Sequence, residues 1–313
     1  MQALLLAVLF SRAAIDDAVR LVMRTQHVAG LSIGIAHERK VLYERGFGWS
    51  ELGPRSLAQA QTIYRIGSLT KTFTAAAVLD LTRDRKLSLH DPVSEYVASF
   101  PWPHGITVED LLTHQSGVPS YSDNEQLDRH REYTPQQLVD AVASQPVAFD
   151  PEKFWSYSNT NYVLLGMIVE RVSGMPYQTY LQSAVLDPMN LRNTRYGDRQ
   201  GQARGYARDT LNSPVISSST SFGYAAAGMT SNVPDLLTWL ASASEPYYGF
   251  FQSHMYGDRV FYASGSVNGF SSFALIEPQT RDAIVILTNA DKLDLIPLAK
   301  SVFAVLEHVC CTP

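Results

Sequence analysis

The chain has 313 residues, room for one large domain or two intimately packed ones, and its 45% hydrophobic and 18% charged residues are those of an ordinary globular protein. A formal net charge of −5 without a basic stripe argues against nucleic acid as a partner. No Cys-x-x-Cys or His-Glu-x-x-His spacing suggests a metal and no glycine-rich loop suggests a phosphate cofactor, so no cofactor is expected; the adjacent Cys310 and Cys311 form a strained disulfide at best.

Ala3 to Phe10 is an unbroken apolar run followed by Ala13-Ala14. Residues 1–14 read as a short or truncated export signal that lacks the basic start, and the rival reading is the buried first turn of a helix. The expectation is an exported protein, periplasmic or secreted; the run is too short to span a bilayer. Ile15 to Gln26 follows with Ile15, Ala18, Val19 and Val22 at helical spacing. Leu31, Ile33 and Ile35 then alternate with Ser32, Gly34 and Ala36, a strand with small residues on the side where a helix packs. Glu38-Arg39-Lys40 turns the chain into Val41-Leu42-Tyr43, and Gly46, Gly48 and Gly53-Pro54 mark the end of this hairpin.

Gly67-Ser68-Leu69-Thr70-Lys71-Thr72-Phe73-Thr74 opens an Ala- and Leu-rich run to Leu81 that is apolar on nearly every side, the mark of a buried central helix. Thr107-Val108-Glu109-Asp110 is a capping-box-like start for a short helix through Leu111 and Leu112 that stops at Gly117. Thr134-Pro135-Gln136-Gln137 starts a second helix, and Asn161 to Val172 is a third, closed by Gly174. Past Asn190 the periodicity fades into a Ser-, Gly- and Arg-rich region. Pro234-Asp235-Leu236-Leu237 opens another helix. Strands follow at Phe261 to Ser264, Phe270 to Ile276 and Ala283 to Thr288, the last two joined by a turn over 278–282; Leu295 to Leu306 is a final helix. Strands at both ends with helices between predict an α+β fold, one sheet built from both termini with an inserted helical lobe, and a cleft where the two meet.

Ser68 and Lys71, three apart, share one helical face, and no other lysine has a serine three residues before it. A serine hydroxyl needs a neighbour to take its proton, and a lysine whose pKa is lowered by burial can do that or position the group that does. Phe154-Trp155-Ser156-Tyr157-Ser158-Asn159 supplies a second constellation. On an extended loop Tyr157 and Asn159 point to one side; Tyr157, with its pKa lowered by a neighbouring lysine, is a candidate base for Ser68, and Asn159 can hold Lys71 and donate to a substrate carbonyl or cap the helix. Ser122-Asp123-Asn124 is a competing element in a polar loop, ranked below Tyr157 and Asn159. His114 reads as a structural histidine rather than a base.

Together these segments resemble the serine β-lactamase and penicillin-binding-protein superfamily, in the branch of class C β-lactamases, D-Ala-D-Ala carboxypeptidases, D-aminopeptidases and β-lactamase-fold esterases. The resemblance runs from about Leu31 to the final helix. It is strongest at Ile66 to Lys71, Leu111 to Gly117 and Tyr157 to Tyr162, with Ala226-Ala227-Gly228-Met229 and Gly269-Phe270-Ser271-Ser272 as weaker supports. It implies a single catalytic domain over 15–309, with an α/β lobe at about 15–65 and 215–309 and a helical lobe at about 66–214. It also implies an acyl-enzyme on Ser68, with Lys71 and Tyr157 sharing the proton work. The backbone N–H groups of Ser68 and Ser266 would form an oxyanion hole, such donors contributing ~3–4 kcal/mol each.

One departure stands out. The family expects Lys or His, any residue, then Gly on the strand facing the nucleophile; here the three are Ala263, Ser264 and Gly265. The glycine is expected to let substrate backbone approach. The missing base shifts the expectation from substrates with a carboxylate toward esters, amides or D-amino-acid peptides, with His254, Arg259 or the loop from Arg192 to Arg208 as other sources of charge. The leading reading is a serine hydrolase acting on a small-molecule or peptide substrate. Its rival is a non-catalytic binder that keeps the pocket.

Overall fold

The computed structural model describes residues 2–207, 214–244 and 247–310, with side chains from residue 12 to 306. The side chains of the Ala3–Phe10 run and of Cys310 and Cys311 therefore lie outside the described residues. Helix α1 is Gln2–Thr25; β1 (Gly30–His37) and β2 (Lys40–Glu51) form the first hairpin, followed by β3 (Ser56–Leu57) and β4 (Tyr64–Arg65). A 3-10 turn, Gly67–Leu69, leads into α2 (Thr70–Arg83), then α3 (Val108–Leu112), α4 (Pro135–Asp140), α5 (Asn159–Ser173) and α6 (Tyr177–Tyr180). Next come β5 (Arg195–Tyr196), α7 (Thr220–Ala227), β6 (Met229–Ser231) and α8 (Val233–Ser242). The chain ends with β7 (Phe251–Met255), β8 (Asp258–Val267), β9 (Phe270–Glu277), β10 (Asp282–Thr288) and α9 (Ile296–Cys310).

Among the described residues the main sheet has seven antiparallel strands in the order β3-β2-β1-β10-β9-β8-β7. The expected union of the two ends is the β1–β10 ladder, with Leu31 opposite Thr288, Ile33 opposite Ile286 and Ile35 opposite Ile284. Period-2 alternation keeps these residues on one face and sends their neighbours in sequence to the other. Leu31, Ile33, Ile35, Ile284 and Ile286 pack with Ile15 and Val19 of α1 and with Val302 and Phe303 of α9. Ala36, Val285 and Leu287 join the larger core shared with α8 and the helices between. The small residues of β1 do what their pattern predicts: a Cβ on Gly34 would lie 2.3 Å from Val233 and 2.8 Å from Leu237 of α8. No helix among the described residues is long and apolar enough to cross a membrane.

The middle helix α2 is buried, with Phe73, Ala75, Ala77, Val78 and Leu81 all at 0–1% exposure, and Phe73 stacks on Trp239 at 4.2 Å. α3 and α4 begin with complete capping boxes, Thr107 with Asp110 and Thr134 with Gln137, and α5 ends at Gly174 in the left-handed conformation, φ 70°.

Three elements differ from the sequence reading. β2 does not stop at Gly46 and Gly48 but runs through them, because their missing Cβ atoms let Ala58 and Ala29 carbonyls approach to 2.1 and 2.2 Å of where those atoms would sit. β7 has no β-branched residue to mark it and is held as an edge strand by β8. α7 is short, carries Gly223 and is broken at Tyr224 (φ 37°, ψ −132°), so it has no sustained helical period; it packs on α5 and α2.

The tight seat of α8 gives the first prediction. Gly34→Ala should lower stability by about 1–3 kcal/mol through overpacking, with Ser68, Lys71 and Tyr157 untouched. A lower urea midpoint at unchanged slope is the expected measurement; an unchanged midpoint would show that α8 can move away at little cost.

Candidate active site

Ser68, the candidate nucleophile, sits where the helices meet the sheet. Gly67 has φ +51°, and a Cβ there would lie 2.9 Å from the Ser266 nitrogen, so the turn carrying Ser68 lies directly on β8. The turn is fixed from two sides: Ser272 of β9 donates its hydroxyl to the Ile66 carbonyl at 2.7 Å, and the Ile66 N–H donates to the Met229 carbonyl at 3.1 Å. Gly265 therefore has a different role from the one expected. A Cβ on it would strike the Ile66 carbonyl oxygen at 2.0 Å and Ser272 Oγ at 2.5 Å, so it makes room for the nucleophile turn rather than for substrate backbone.

Ser68, Lys71, Tyr157 and Asn159 come together. Lys71 Nζ donates to Asn159 Oδ1 at 2.7 Å, to the Ala226 carbonyl at 2.9 Å and to Ser68 Oγ at 3.2 Å, and the Tyr157 hydroxyl donates to Ser68 Oγ at 2.7 Å. Lys71 is 2% exposed, and these hydrogen-bond partners are neutral oxygens, none of them a carboxylate. Burial alone therefore holds its pKa well below the usual lysine range.

The expectation for Tyr157 is overturned. Its pKa is pushed up to about 12 by burial, which the hydrogen bond to Ser68 only partly offsets. The Lys71 ammonium nitrogen lies over the face of the Tyr157 ring, 4.9 Å from its centroid. It meets the π cloud there instead of favouring a phenolate.

Asn159 is the first residue of α5 rather than part of an extended loop, and Ser158 occupies the N-cap position. The Asn159 side chain does not cap. Its oxygen holds Lys71, and its Nδ2 donates to Ser122 Oγ at 2.8 Å; its backbone N–H donates to Ser120 Oγ at 3.0 Å, and the two serine hydroxyls are bonded to each other at 2.9 Å. The lower-ranked Ser122 thus belongs to the network as a support for Asn159. The signal that could have found it was the Ser120-x-Ser122 spacing on either side of a buried aromatic, Tyr121.

His114 is structural, as expected, but it is built into the site. Its Nδ1 accepts the Ser158 N–H at 3.2 Å, and its ring lies 4.6 Å from that of Tyr157. Burial, with a smaller contribution from the Lys71 charge, lowers its pKa to about 3.

The group opens into a cavity of about 270 Å³ lined by Ser68, Lys71, His114, Trp155, Tyr157 and Ala263, with Ser264 at its exposed edge. Ser266 is exposed one residue past Gly265. The charges proposed to stand in for the missing base do not line this cavity. His254 and Arg259 face each other on the β7–β8 hairpin, Arg192, Arg195 and Arg199 line a separate surface cleft, and Arg204 pairs with Glu51. Arg208 lies outside the described residues.

The model of the Beta-lactamase family matches residues 15–305. The chain belongs to that family. Within the serine β-lactamase and penicillin-binding-protein superfamily, the chain is 26% identical over 315 aligned positions to Protein flp of Staphylococcus aureus (strain N315), covering 89% of this chain and 63% of that protein. It thus spans under two thirds of that curated relative's length. Among solved structures, the octameric penicillin-binding protein homologue of Pyrococcus abyssi superposes with a TM-score of 0.84 at 27% identity, covering 94% of this chain and 77% of the other. A D-stereospecific amidohydrolase from Streptomyces sp. superposes with a TM-score of 0.79 at 25% identity, covering 96% and 98%. The superfamily consists of serine hydrolases, and this β-lactamase-family chain shares its fold over nearly all its length.

His114 generates a pH prediction. The unfolded chain binds a proton at this histidine below about pH 6.5, whereas the folded chain refuses it until about 3. Stability is therefore complete above pH 6.5 and falls as pH falls, by about 2 kcal/mol at pH 5 from this group. In His114→Gln the acid limb of a stability–pH curve from urea titrations should be shallower by that amount; an identical limb would mean the histidine is not held neutral.

Proposed function

We propose that this β-lactamase-family chain is an active serine hydrolase that cleaves ester or amide bonds through an acyl-enzyme on Ser68. The observation that carries the reading is that Lys71 Nζ, at 3.2 Å, and the Tyr157 hydroxyl, at 2.7 Å, both lie within hydrogen-bond distance of Ser68 Oγ.

The two neighbours have opposite proton affinities, and this assigns their work. Lys71, whose hold on its proton is weakened by burial, is the base in its neutral form. Its two N–H groups remain on Asn159 and Ala226, and its lone pair takes the Ser68 proton as Oγ bonds the substrate carbonyl carbon. Tyr157, which keeps its proton to about pH 12, is the acid: it protonates the departing alkoxide or amine. Water then attacks the acyl carbon and gives its proton to the Tyr157 oxygen, while Ser68 leaves with the proton held by Lys71. Both groups return to their starting states. The oxyanion would lie between the Ser68 and Ser266 N–H groups. In support, the Ser266 nitrogen is 2.9 Å from the Gly67 Cβ position and the Ser68 nitrogen 2.9 Å from that of Gly265.

Three predictions follow from the assignment of roles. Intact mass after a fluorophosphonate should show one adduct that disappears in Ser68→Ala, and a penicillin offered separately should leave none, for want of a cation at Ala263. A lasting penicillin adduct would favour a penicillin-binding role and a transient one with turnover a β-lactamase. No adduct from either reagent would favour the non-catalytic binder. Tyr157→Phe should lower kcat by ~10²–10⁴ while the fluorophosphonate, which needs little help in departure, still reacts. For the unsubstituted protein kcat/KM should rise as Lys71 loses its proton and stay level into mildly alkaline pH; an alkaline fall near pH 8 would contradict the assignment of Tyr157 as acid.

A further inference from the structure

One wall of the catalytic cavity is a single stretch of chain, Tyr247-Tyr248-Gly249-Phe250-Phe251, which leads into β7. It is fastened at three points. Tyr247 lies flat on Phe261 of β8, ring centroids 4.2 Å apart and 22° from parallel. The Tyr248 hydroxyl donates to Glu109 Oε1 at 2.6 Å. Gly249, at φ +83°, presses on α2 so closely that a Cβ would lie 2.9 Å from Thr72 N and Cα. At the mouth Phe251 meets Trp155 at 6.0 Å and Tyr157 at 6.4 Å, and Trp155, 56% exposed, stands edge-on to His114 at 6.1 Å. The strap is thus a fixed aromatic wall.

Its position bears on the missing base. Phe261 and Ala263 are two apart on β8 and share a face, so the Tyr247 ring is stacked beside the place where a lysine or histidine was expected. Ala263 itself is 2% exposed. Among the described residues the ionisable groups lining the cavity are Lys71, His114, Tyr157, Tyr247 and Tyr248; no Asp, Glu or Arg is among them. Glu109 lies behind Tyr248 and is engaged by it. Lys71 is turned toward Ser68, Asn159 and Ala226. A carboxylate on the acyl part of a substrate would meet no cation free to receive it, and an ammonium there would meet no carboxylate, so either would lose hydration without recompense. An aromatic ring would instead meet the indole of Trp155 and the rings of Phe250 and Phe251. There is space for one: a cavity of about 150 Å³ holds benzene, and this one has about 270 Å³.

We infer that the strap 247–251 is the specificity determinant of this site, and that the acyl group it admits is uncharged and aromatic. The inference rests on the hydrolase reading for its meaning, but binding tests it separately. Ser68→Ala protein is titrated by calorimetry at pH 6 with methyl phenylacetate, with its α-carboxylate analogue monomethyl phenylmalonate, with its α-ammonium analogue phenylglycine methyl ester, and with methyl acetate. Methyl phenylacetate should bind at least tenfold more tightly than each of the other three. Adding Trp155→Ala, at a position 56% exposed, or Phe251→Ala should bring its affinity down toward that of methyl acetate, and adding Ala263→Lys should favour the carboxylate analogue. Equal or tighter binding of either charged ester, or an aromatic preference untouched by both the Trp155 and Phe251 changes, would overturn the inference. Turnover of methyl phenylacetate by the unsubstituted protein decides the hydrolase reading by itself. If Ser68-dependent turnover is absent while the binding order holds, the chemistry has been misassigned and the selectivity stands.

Discussion

The structure is organised around an ammonium group taken out of water without a counter-charge. An isolated buried cation is so unfavourable that it either acquires a carboxylate or surrenders its proton. Lys71 has Asn159, Ser68 and the Ala226 carbonyl around it, each of them neutral. The surroundings satisfy the amine as a donor and leave its charge uncompensated. Much of the neighbourhood can be understood as keeping that arrangement in place. Ser120 and Ser122 fix Asn159, α7 offers its backbone carbonyl through a break at Tyr224, and α5 starts at the residue that receives the lysine.

The second dependency is spatial. The nucleophile turn touches strands from distant parts of the chain, and two glycines, one on each side, bring the surfaces within backbone contact. Since Gly67 has φ +51° and Gly265 would collide with Ile66 if it carried a Cβ, each requires the absence of a side chain for its own reason. The turn that carries Ser68 and the sheet are therefore coupled by backbone contact on both sides.

Much of this was legible in the residues. The alternation of Leu31, Ile33 and Ile35 with small residues identified both the strand and the side on which α8 packs, because period 2 and the volume of a glycine are local properties. Thr107 and Thr134 announced helix starts through chemistry confined to four residues. Ser68, Lys71, Tyr157 and Asn159 were named by spacing, and they meet. What escaped was set by tertiary contact. The tyrosine's proton affinity depends on how deeply its hydroxyl is buried and on whether the lysine meets its edge or its face, and neither is written in Trp155-Ser156-Tyr157. The aromatic strap, 247–251, has no period to mark it and gains its meaning only where it stacks beside β8. Ser122 looked unsupported because its support, Asn159, is 37 residues away.

The pairing of β1 with β10 also has a consequence in time. Leu31 faces Thr288 in the middle of the sheet, so the first hairpin leaves the ribosome with one edge unsatisfied and its partner some 250 residues behind. At ~5–20 residues per second that edge waits roughly 10–50 s for its neighbour. Its inner face is lined by Leu31, Ile33 and Ile35, a hydrophobic template open to any other nascent strand. Protection of the nascent hairpin, by translation speed or by holding chaperones, should therefore raise the yield of folded protein.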